Sequence, residues 1–407
     1  MELTIENFGP IKKGKIKTKK VTVLIGNQGS GKSTVAKLLA TFAWLEKDAY
    51  RRSNFICNVQ NFYKNFTNLL EYHCIDHYLK YEPDSSLLSY AGDVAHINYE
   101  SIPEDPEDCP FTLFPYKYPL PKITYFPAER SFISSIKNVK EGKNFSLWSR
   151  SLQEFKEIFQ EAKERLRKSI ILPINNLQID YNRFYDTLYL KGKNYTIPLS
   201  DAASGFQSFV PLFLVADYLS KMLRSEYEMN EEDRVKFKKE SADILGNPDF
   251  TNEQKRMLLS NLAGKINVNR TINIIEEPEQ NLYPSSQRSV LNCLLGYNNE
   301  VKDNELIITT HSPYILSYLM LAIQAAELKE KANGNAEILS KIYDIVPEKA
   351  ITPMKDVVIY ELNDDGTISE LPQSYGLPSD DNFLNNELGE VNSLFSKLME
   401  IENLCQQ

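Results

Sequence analysis

The chain has 407 residues, 42% hydrophobic and 25% charged, a globular composition long enough for two or three domain-sized units. Its 46 basic and 55 acidic side chains leave a formal charge of -9, which excludes a histone-like, wholly basic nucleic-acid binder. Five scattered cysteines with no C-x-x-C pair exclude a disulfide framework or a zinc knuckle and fit a reducing cytoplasm.

Residues 1–20 lack an apolar core followed by a small-residue cleavage site, so no secretory signal is expected. Short β-like runs open the chain: Glu2 to Asn7, a Phe8-Gly9-Pro10 turn, a lysine-rich run from Ile11 to Thr18, and an apolar strand from Val21 to Ile25. Val35, Leu38, Leu39, Phe42 and Leu45 then recur at helical spacing. Tyr50 to Tyr99 is expected to be mostly helical. Between Glu100 and Lys122, Pro103, Pro106, Pro110, Pro115, Pro119 and Pro121 predict an irregular surface run, because proline fixes φ and donates no N–H.

Ile123 to Phe126 reads as a buried strand, followed by a charged helical insertion across Ser131 to Ser169. Two or three strands are expected from Leu177 to Pro198, a helix from Ser204, and a polar helical stretch from Glu231 to Ala263. Apolar strands at Ile272 to Ile275 and Leu306 to Ile308 each precede a helix. The apolar stretch from Ile315 to Ala326 is broken by Ser317, Tyr318 and Gln324 and is too short for a bilayer, so no membrane partner is expected. A hairpin at Val357 to Gly366 and an amphipathic helix from about Asp381 close the chain. The pattern predicts one α/β sheet assembled from two distant segments.

Gly26-Asn27-Gln28-Gly29-Ser30-Gly31-Lys32-Ser33-Thr34 satisfies G-x-x-x-x-G-K-[ST], the nucleotide-binding P-loop pattern. Its glycines let backbone N–H groups converge on phosphates, Lys32 reaches the β and γ oxygens, and the Ser33 hydroxyl ligates Mg²⁺. The strand Ile272-Asn273-Ile274-Ile275 ends in Glu276-Glu277. The first acid is suited to a metal's water shell and the second to orienting or deprotonating an attacking water. His311, in Thr309-Thr310-His311-Ser312-Pro313, sits just beyond an apolar strand, where a neutral imidazole could meet a γ-phosphate or that water. Ala203-Ser204-Gly205-Phe206-Gln207, read alone, is a serine N-cap with a flexible glycine.

In this order the four elements resemble the ABC-type ATPase superfamily, in its branch similar to SMC proteins and overcoming-lysogenization-defect (OLD) enzymes. The resemblance implies an α/β P-loop NTPase fold with N-terminal antiparallel strands and helical insertions. It implies one composite head: an N-terminal lobe at 1–130, an insertion at 131–170 and a C-terminal lobe at 171–407. Gly26 to Thr34 match Walker A, Ala203 to Gln207 the ABC signature, Ile272 to Glu277 Walker B, Glu279 to Pro284 the D-loop, and His311 the switch histidine. The implied cofactors are ATP and Mg²⁺, the latter held through Ser33 and Glu276. The implied partner is a second copy, joined head to tail so that Ser204, Gly205 and Gln207 of one subunit face the other's P-loop.

The sequence departs from that family in several places. Glu276 stands where the branch carries aspartate. The Q-loop glutamine is absent, and Tyr125-Phe126-Pro127-Ala128-Glu129-Arg130 occupies its place, with Glu129 a candidate for the metal and Arg130 for a phosphate or a salt bridge. Ser131 to Ser169 is too short for an SMC coiled coil. Fewer than a hundred residues follow His311, with no D-x-D cluster, so an OLD-type nuclease is expected on a separate chain. The chain is similar in this to stand-alone ATPases of the Septu, PARIS and retron phage-defence systems, which control a separately encoded nuclease. The alternatives are a RecF-type ATPase that clamps DNA, a transporter motor, and a protein that holds ATP without turnover.

Three weaker constellations carry two readings each. Lys12, Lys13, Lys15, Lys17, Lys19 and Lys20 could contact DNA or guard a sheet edge. His73 and His77 could ligate a metal or lie on an ordinary helix face. Phe111, Phe114, Tyr116 and Tyr118 could stack bases or pack back on the domain.

Overall fold

The computed structural model describes residues 1–51, 59–81, 84–100, 110–114, 116, 118–135, 148–224, 231–247, 255, 259, 268–374 and 376–405. Pro103, Pro106, Pro115 and most of 248–267 lie outside the described residues. The strands are β1 (Glu2–Phe8), β2 (Ile11–Lys17), β3 (Val21–Gly26), β4 (Leu87–Ala91), β5 (Ala95–Glu100), β6 (Phe111–Leu113), β7 (Pro121–Phe126), β8 (Ile170–Ile171) and β9 (Gln178–Asn182). They continue with β10 (Thr187–Lys191), β11 (Thr196–Pro198), β12 (Arg270–Glu276), β13 (Glu305–Thr309), β14 (Val357–Leu362), β15 (Ile368–Glu370), β16 (Gln373–Ser374) and β17 (Leu377–Pro378). The helices are α1 (Lys32–Arg51), α2 (Val59–Tyr72), α3 (Ser131–Ser135), α4 (Arg150–Glu164) and α5 (Ser204–Arg224). After them come α6 (Glu231–Gly246), α7 (Pro284–Asn299), α8 (Pro313–Lys331), α9 (Ala336–Ile345) and α10 (Phe383–Cys405).

The central sheet has the order β15-β14-β3-β13-β12-β7, parallel throughout except for the antiparallel edge strand β15. Its strands are near-continuous apolar runs because both faces are covered. Along β3, Val21, Val23 and Ile25 enter one core and Leu24 the other. Along β14, Val357 and Ile359 share the first core, and Val358, Tyr360 and Leu362 the second. The first core is completed by α4, α5, α7 and α8, through side chains such as Phe155, Phe209, Leu294 and Leu319. The second is completed by α1, α2 and an antiparallel sheet of order β2-β1-β4-β5-β6. A small sheet, β11-β10-β9-β8, borders the first core. The architecture is the α/β P-loop NTPase fold of ABC-ATPase type. Among the described residues, no helix is long and apolar enough to cross a membrane.

The helical expectation for Tyr50 to Tyr99 is corrected by β4 and β5. Leu88 and Tyr90, then Ala95, Ile97 and Tyr99, are buried at the two-residue period of a strand. The turn between them is held by Glu46 of α1, whose buried carboxylate accepts from Val94 N (2.7 Å), Ala95 N (3.1 Å) and Tyr90 Oη (2.8 Å). The two histidines diverge as well. α2 ends at Tyr72, Cys74 takes a left-handed φ of 56°, and His73 is buried while His77 sits in a separate exposed turn. Of the loop aromatics, Phe111 and Tyr118 are buried, and the exposed Tyr116 stacks on Phe114. Lys13 and Lys15 pair with Glu6 and Glu2 across the β1–β2 ribbon, and Lys19 and Lys20 donate to the carbonyls of Val357 and Val301.

One detail fixes the long helix α5. Pro211 inside it has no N–H, so the carbonyl of Gln207 lacks its helical partner, and the Ser134 hydroxyl of α3 donates to it at 2.8 Å. Ser134→Ala should therefore lower stability by about 1–2 kcal/mol in urea unfolding. Adding Pro211→Ala restores an N–H at the right position and should recover most of that loss.

Candidate functional site

The strands of the parallel sheet end side by side, and this brings four distant segments together. Gly26 pairs with Leu362, Leu24 with Thr309, Thr309 with Glu276, and Ile275 with Phe126. The loops that follow β3, β12, β13 and β7 thus emerge at one edge, the carboxyl ends where open α/β sheets place their ligand-facing groups.

After β3, the chain turns through Gly26, Asn27, Gln28, Gly29, Ser30 and Gly31 into α1. Gly26 has φ 142°, and a Cβ there would lie 2.4 Å from the Leu362 carbonyl oxygen. Gly31 has φ 101°, so neither position accepts a side chain without strain. The first helical hydrogen bond is Val35 N to Gly31 O, which leaves the N–H groups of Lys32, Ser33 and Thr34 at the open head of α1. Lys32 is 5% exposed and its ammonium donates to the carbonyls of Gly26 (2.8 Å) and Asn27 (2.6 Å). Burial holds that ammonium down to about 8, against the pull of Glu277 and Glu279. Ser30 Oγ is buried with no partner, and Ser33 is exposed at the helix head. Convergent helix-head N–H groups, a half-desolvated cation and an unpaired hydroxyl are a donor set suited to a phosphate chain.

Glu276 closes β12 with both carboxylate oxygens engaged: Tyr125 Oη donates to Oε1 (2.5 Å) and Ala128 N to Oε2 (3.2 Å). Glu277 follows in the left-handed region at φ 43°, and its N–H donates to the Thr309 carbonyl at 2.9 Å. Burial and the neighbouring Glu276 push the Glu277 carboxyl up, opposed by Arg130 and Lys32. His311 Nε2 lies 3.6 Å from Glu277 Oε1, and burial with Lys32 nearby lowers the imidazole, which favours its neutral form. Glu279 fixes the His311 loop, its Oε1 accepting from Thr310 Oγ1 (2.7 Å) and His311 N (2.8 Å).

Two further residues, Arg130 and Tyr125, organise this edge. Arg130 is fully buried, with the charges of Glu276, Glu277 and Glu279 around it. Its guanidinium donates to four main-chain carbonyls: Pro127 (3.1 Å), Glu276 (2.6 Å), Glu277 (2.6 Å) and Ser208 (3.2 Å). It joins the end of β7, the turn after β12 and the first turns of α5. Burial lowers it to about 10, and the surrounding glutamates oppose that shift. Tyr125 is the second, through its bond to Glu276. Glu129 is exposed in the turn Ala128–Arg130, and its charge acts on Glu277.

The segment Ala203 to Gln207 lies against the turn after Glu279. A Cβ on Gly205 would meet the Asn281 carbonyl oxygen at 2.6 Å, and Ser208 Oγ donates to Gln280 Oε1 at 2.7 Å. Ser204 is the exposed first residue of α5 and not its cap, since Ala203 supplies the first accepting carbonyl. The Gln207 amide turns inward, donating to the carbonyls of Ser200 (2.8 Å) and Ala202 (2.9 Å), while its oxygen accepts from Ser135 Oγ (3.0 Å). Ser33, Glu276 and Glu129 offer hydroxyl and carboxylate oxygens, the ligand chemistry that Mg²⁺ takes.

A family model described as the AAA ATPase domain matches residues 1–201 and 115–316, together more than half of the chain. No curated protein matches it. The chain is similar to the SMC head domain with an extended coiled coil from Pyrococcus furiosus, bound to the C-terminal domain of ScpA. That pair shares 10% identity over 98% of each chain, with a TM-score of 0.35. The SMC head domain from Thermotoga maritima shares 13% identity over 78% of this chain and 90% of that one, with a TM-score of 0.30. The recombination mediator protein RecF shares 12% identity over 91% of this chain and 97% of that one, with a TM-score of 0.30.

Arg130→Met keeps the aliphatic stem but removes the side-chain donors that tie the carbonyls of three segments together. The expected cost is about 3 kcal/mol in chemical denaturation. Arg130→Lys should recover only part of it, since a single ammonium cannot serve a fan of four carbonyls.

Proposed function

The chain belongs to the AAA ATPase domain family, and from that premise we propose that it binds and hydrolyses Mg·ATP in a site completed by a second copy of itself. The observation that carries the reading is the gathering of Glu277, His311 and Lys32 at one sheet edge. Glu277 is half-buried with its carboxyl pushed up toward the range of a useful base, 3.6 Å from a neutral-leaning imidazole and within the field of the P-loop ammonium.

In this reading the N–H groups at the head of α1 and the Lys32 ammonium receive the phosphate chain, with Lys32 exchanging its two loop carbonyls for phosphate oxygens. Ser33 and Glu276 would hold the metal through its water shell, with Glu129 as a further oxygen ligand. Mg²⁺ held there would supply the positive charge that neutralises charge developing on the phosphates. Glu277 orients the attacking water and takes its proton, while His311 contacts the γ-phosphate side. Ser204 and Gly205 are the signature elements offered to the partner copy, and Ser204 is free at the helix head to do so. Gln207 acts within its own subunit, shaping the segment that carries Ser204. Hydrolysis then requires a head-to-tail pair related by a two-fold axis.

The further proposal is that the paired state gates a separately encoded effector nuclease in phage defence. It rests on the sequence resemblance to the stand-alone ATPases of such systems. The RecF-type alternative, a clamp on DNA, draws less support, because four of the six clustered lysines are engaged with Glu2, Glu6 and main-chain carbonyls.

Glu277→Gln should bind ATP, turn it over at least about a hundredfold more slowly, and accumulate as a pair. Light scattering with ATP present checks this: a mass equal to that of Lys32→Ala would sink the composite site. Nucleotide affinity should also fall above about pH 8, where the free protein's Lys32 loses its proton while a phosphate-bound ammonium keeps it. The drop should approach tenfold per pH unit, read by calorimetric titration without Mg²⁺.

A further inference from the structure

We propose that Tyr125 is a positioning residue for the metal acid Glu276, and that its phenol is what makes a glutamate serviceable at that position. This rests on the Mg·ATP reading above and goes beyond it by assigning a residue outside the recognised motifs. Three observations place Tyr125 there. In the parallel register Tyr125 stands beside Ile274, and Ile272, Ile274 and Glu276 share one face of β12 by the two-residue period. The phenol on β7 therefore rises on the same side as the Glu276 side chain, next to it in the sheet. Its hydroxyl donates to Glu276 Oε1 at 2.5 Å, while the Ala128 N–H takes Oε2 at 3.2 Å, so one short segment grips both oxygens. The ring cannot easily turn away. It is 8% exposed, lies among the second core, and is met edge-on by His73 with centroids 5.1 Å apart.

The chemistry follows from side-chain length. A glutamate has one more rotatable bond than an aspartate and would sample more positions at the end of a strand. Two donors on its own subunit select one of them. A carboxylate oxygen accepts more than one hydrogen bond, so each oxygen keeps a lone pair for the metal's water shell. The phenol does not touch the metal or the nucleotide. It acts through Glu276, as an outer-shell donor does for a ligating carboxylate.

Tyr125→Phe removes the hydroxyl and keeps the ring. The test measures binding of a non-hydrolysable ATP analogue by calorimetry with and without Mg²⁺, and takes the Mg²⁺-dependent gain in affinity as the readout. Tyr125→Phe should lower that gain by about tenfold and leave Mg²⁺-free affinity unchanged. Tyr72→Phe serves as the control, a neighbouring phenol whose hydroxyl donates to Glu154 and not to Glu276. It should leave the gain intact. In a Glu276→Asp background, where the shorter acid is drawn back from the phenol, Tyr125→Phe should have no further effect. An unchanged gain in Tyr125→Phe overturns the proposal, as does an equal loss in Tyr72→Phe or an equal loss of Mg²⁺-free affinity. Absence of any nucleotide binding by the wild type would overturn the Mg·ATP reading itself and this inference with it, a result distinct from Mg²⁺-assisted binding that ignores Tyr125.

Discussion

The parallel register of β3, β13, β12 and β7 is the constraint on which the rest depends. Paired residues of β3 and β13 stand 285 positions apart along the chain (Val21 with Leu306), and the sheet sets them level. A slip of one residue in any pair would swap the two cores, turning Ile274 out of the second and Ile275 out of the first. The apolar side chains on both faces therefore enforce the alignment of the polar groups beyond them. The precision of the edge is inherited from the packing of the interior.

On that alignment the turn after β7 acts as a bracket. It carries a donor to the Glu276 carboxylate, a donor to the Glu276 and Glu277 carbonyls, and, through Arg130 and Ser134, donors to the Ser208 and Gln207 carbonyls of α5. Glu277 sits in a left-handed conformation that a β-carbon makes costly, and its carbonyl is held at 2.6 Å by the same guanidinium. The acid pair and the helix bearing Ser204 are thereby parts of one hydrogen-bonded unit rather than neighbours by chance of folding.

The division between what the sequence made legible and what it hid follows the range of the interactions. The P-loop was legible because its requirements are local: glycines at positive φ, a lysine and a hydroxyl at fixed offsets, a strand before and a helix after. β12 and β13 were legible as isoleucine-rich runs that stop at acids and two residues short of a histidine. β4 and β5 were not, although Leu88 and Tyr90, then Ala95, Ile97 and Tyr99, keep a strict alternation, because the aromatic and polar residues between α1 and β5 blurred the change of period. The main-chain contacts of Arg130 and Gln207 were hidden for a different reason. Their partners are main-chain carbonyls on other elements, and no spacing in the sequence announces a carbonyl. Tyr125 was hidden likewise, since its meaning depends on lying one strand away from Glu276.

Lys32 has a final consequence for how ligands leave. Its ammonium already rests on two carbonyls of its own loop, so departure of an anion does not strand a buried cation; the charge returns to ready-made acceptors. In this form the lysine braces the loop from within. In the proposed reaction the nucleotide-free form is thus braced by Lys32 itself and does not leave that buried ammonium without acceptors.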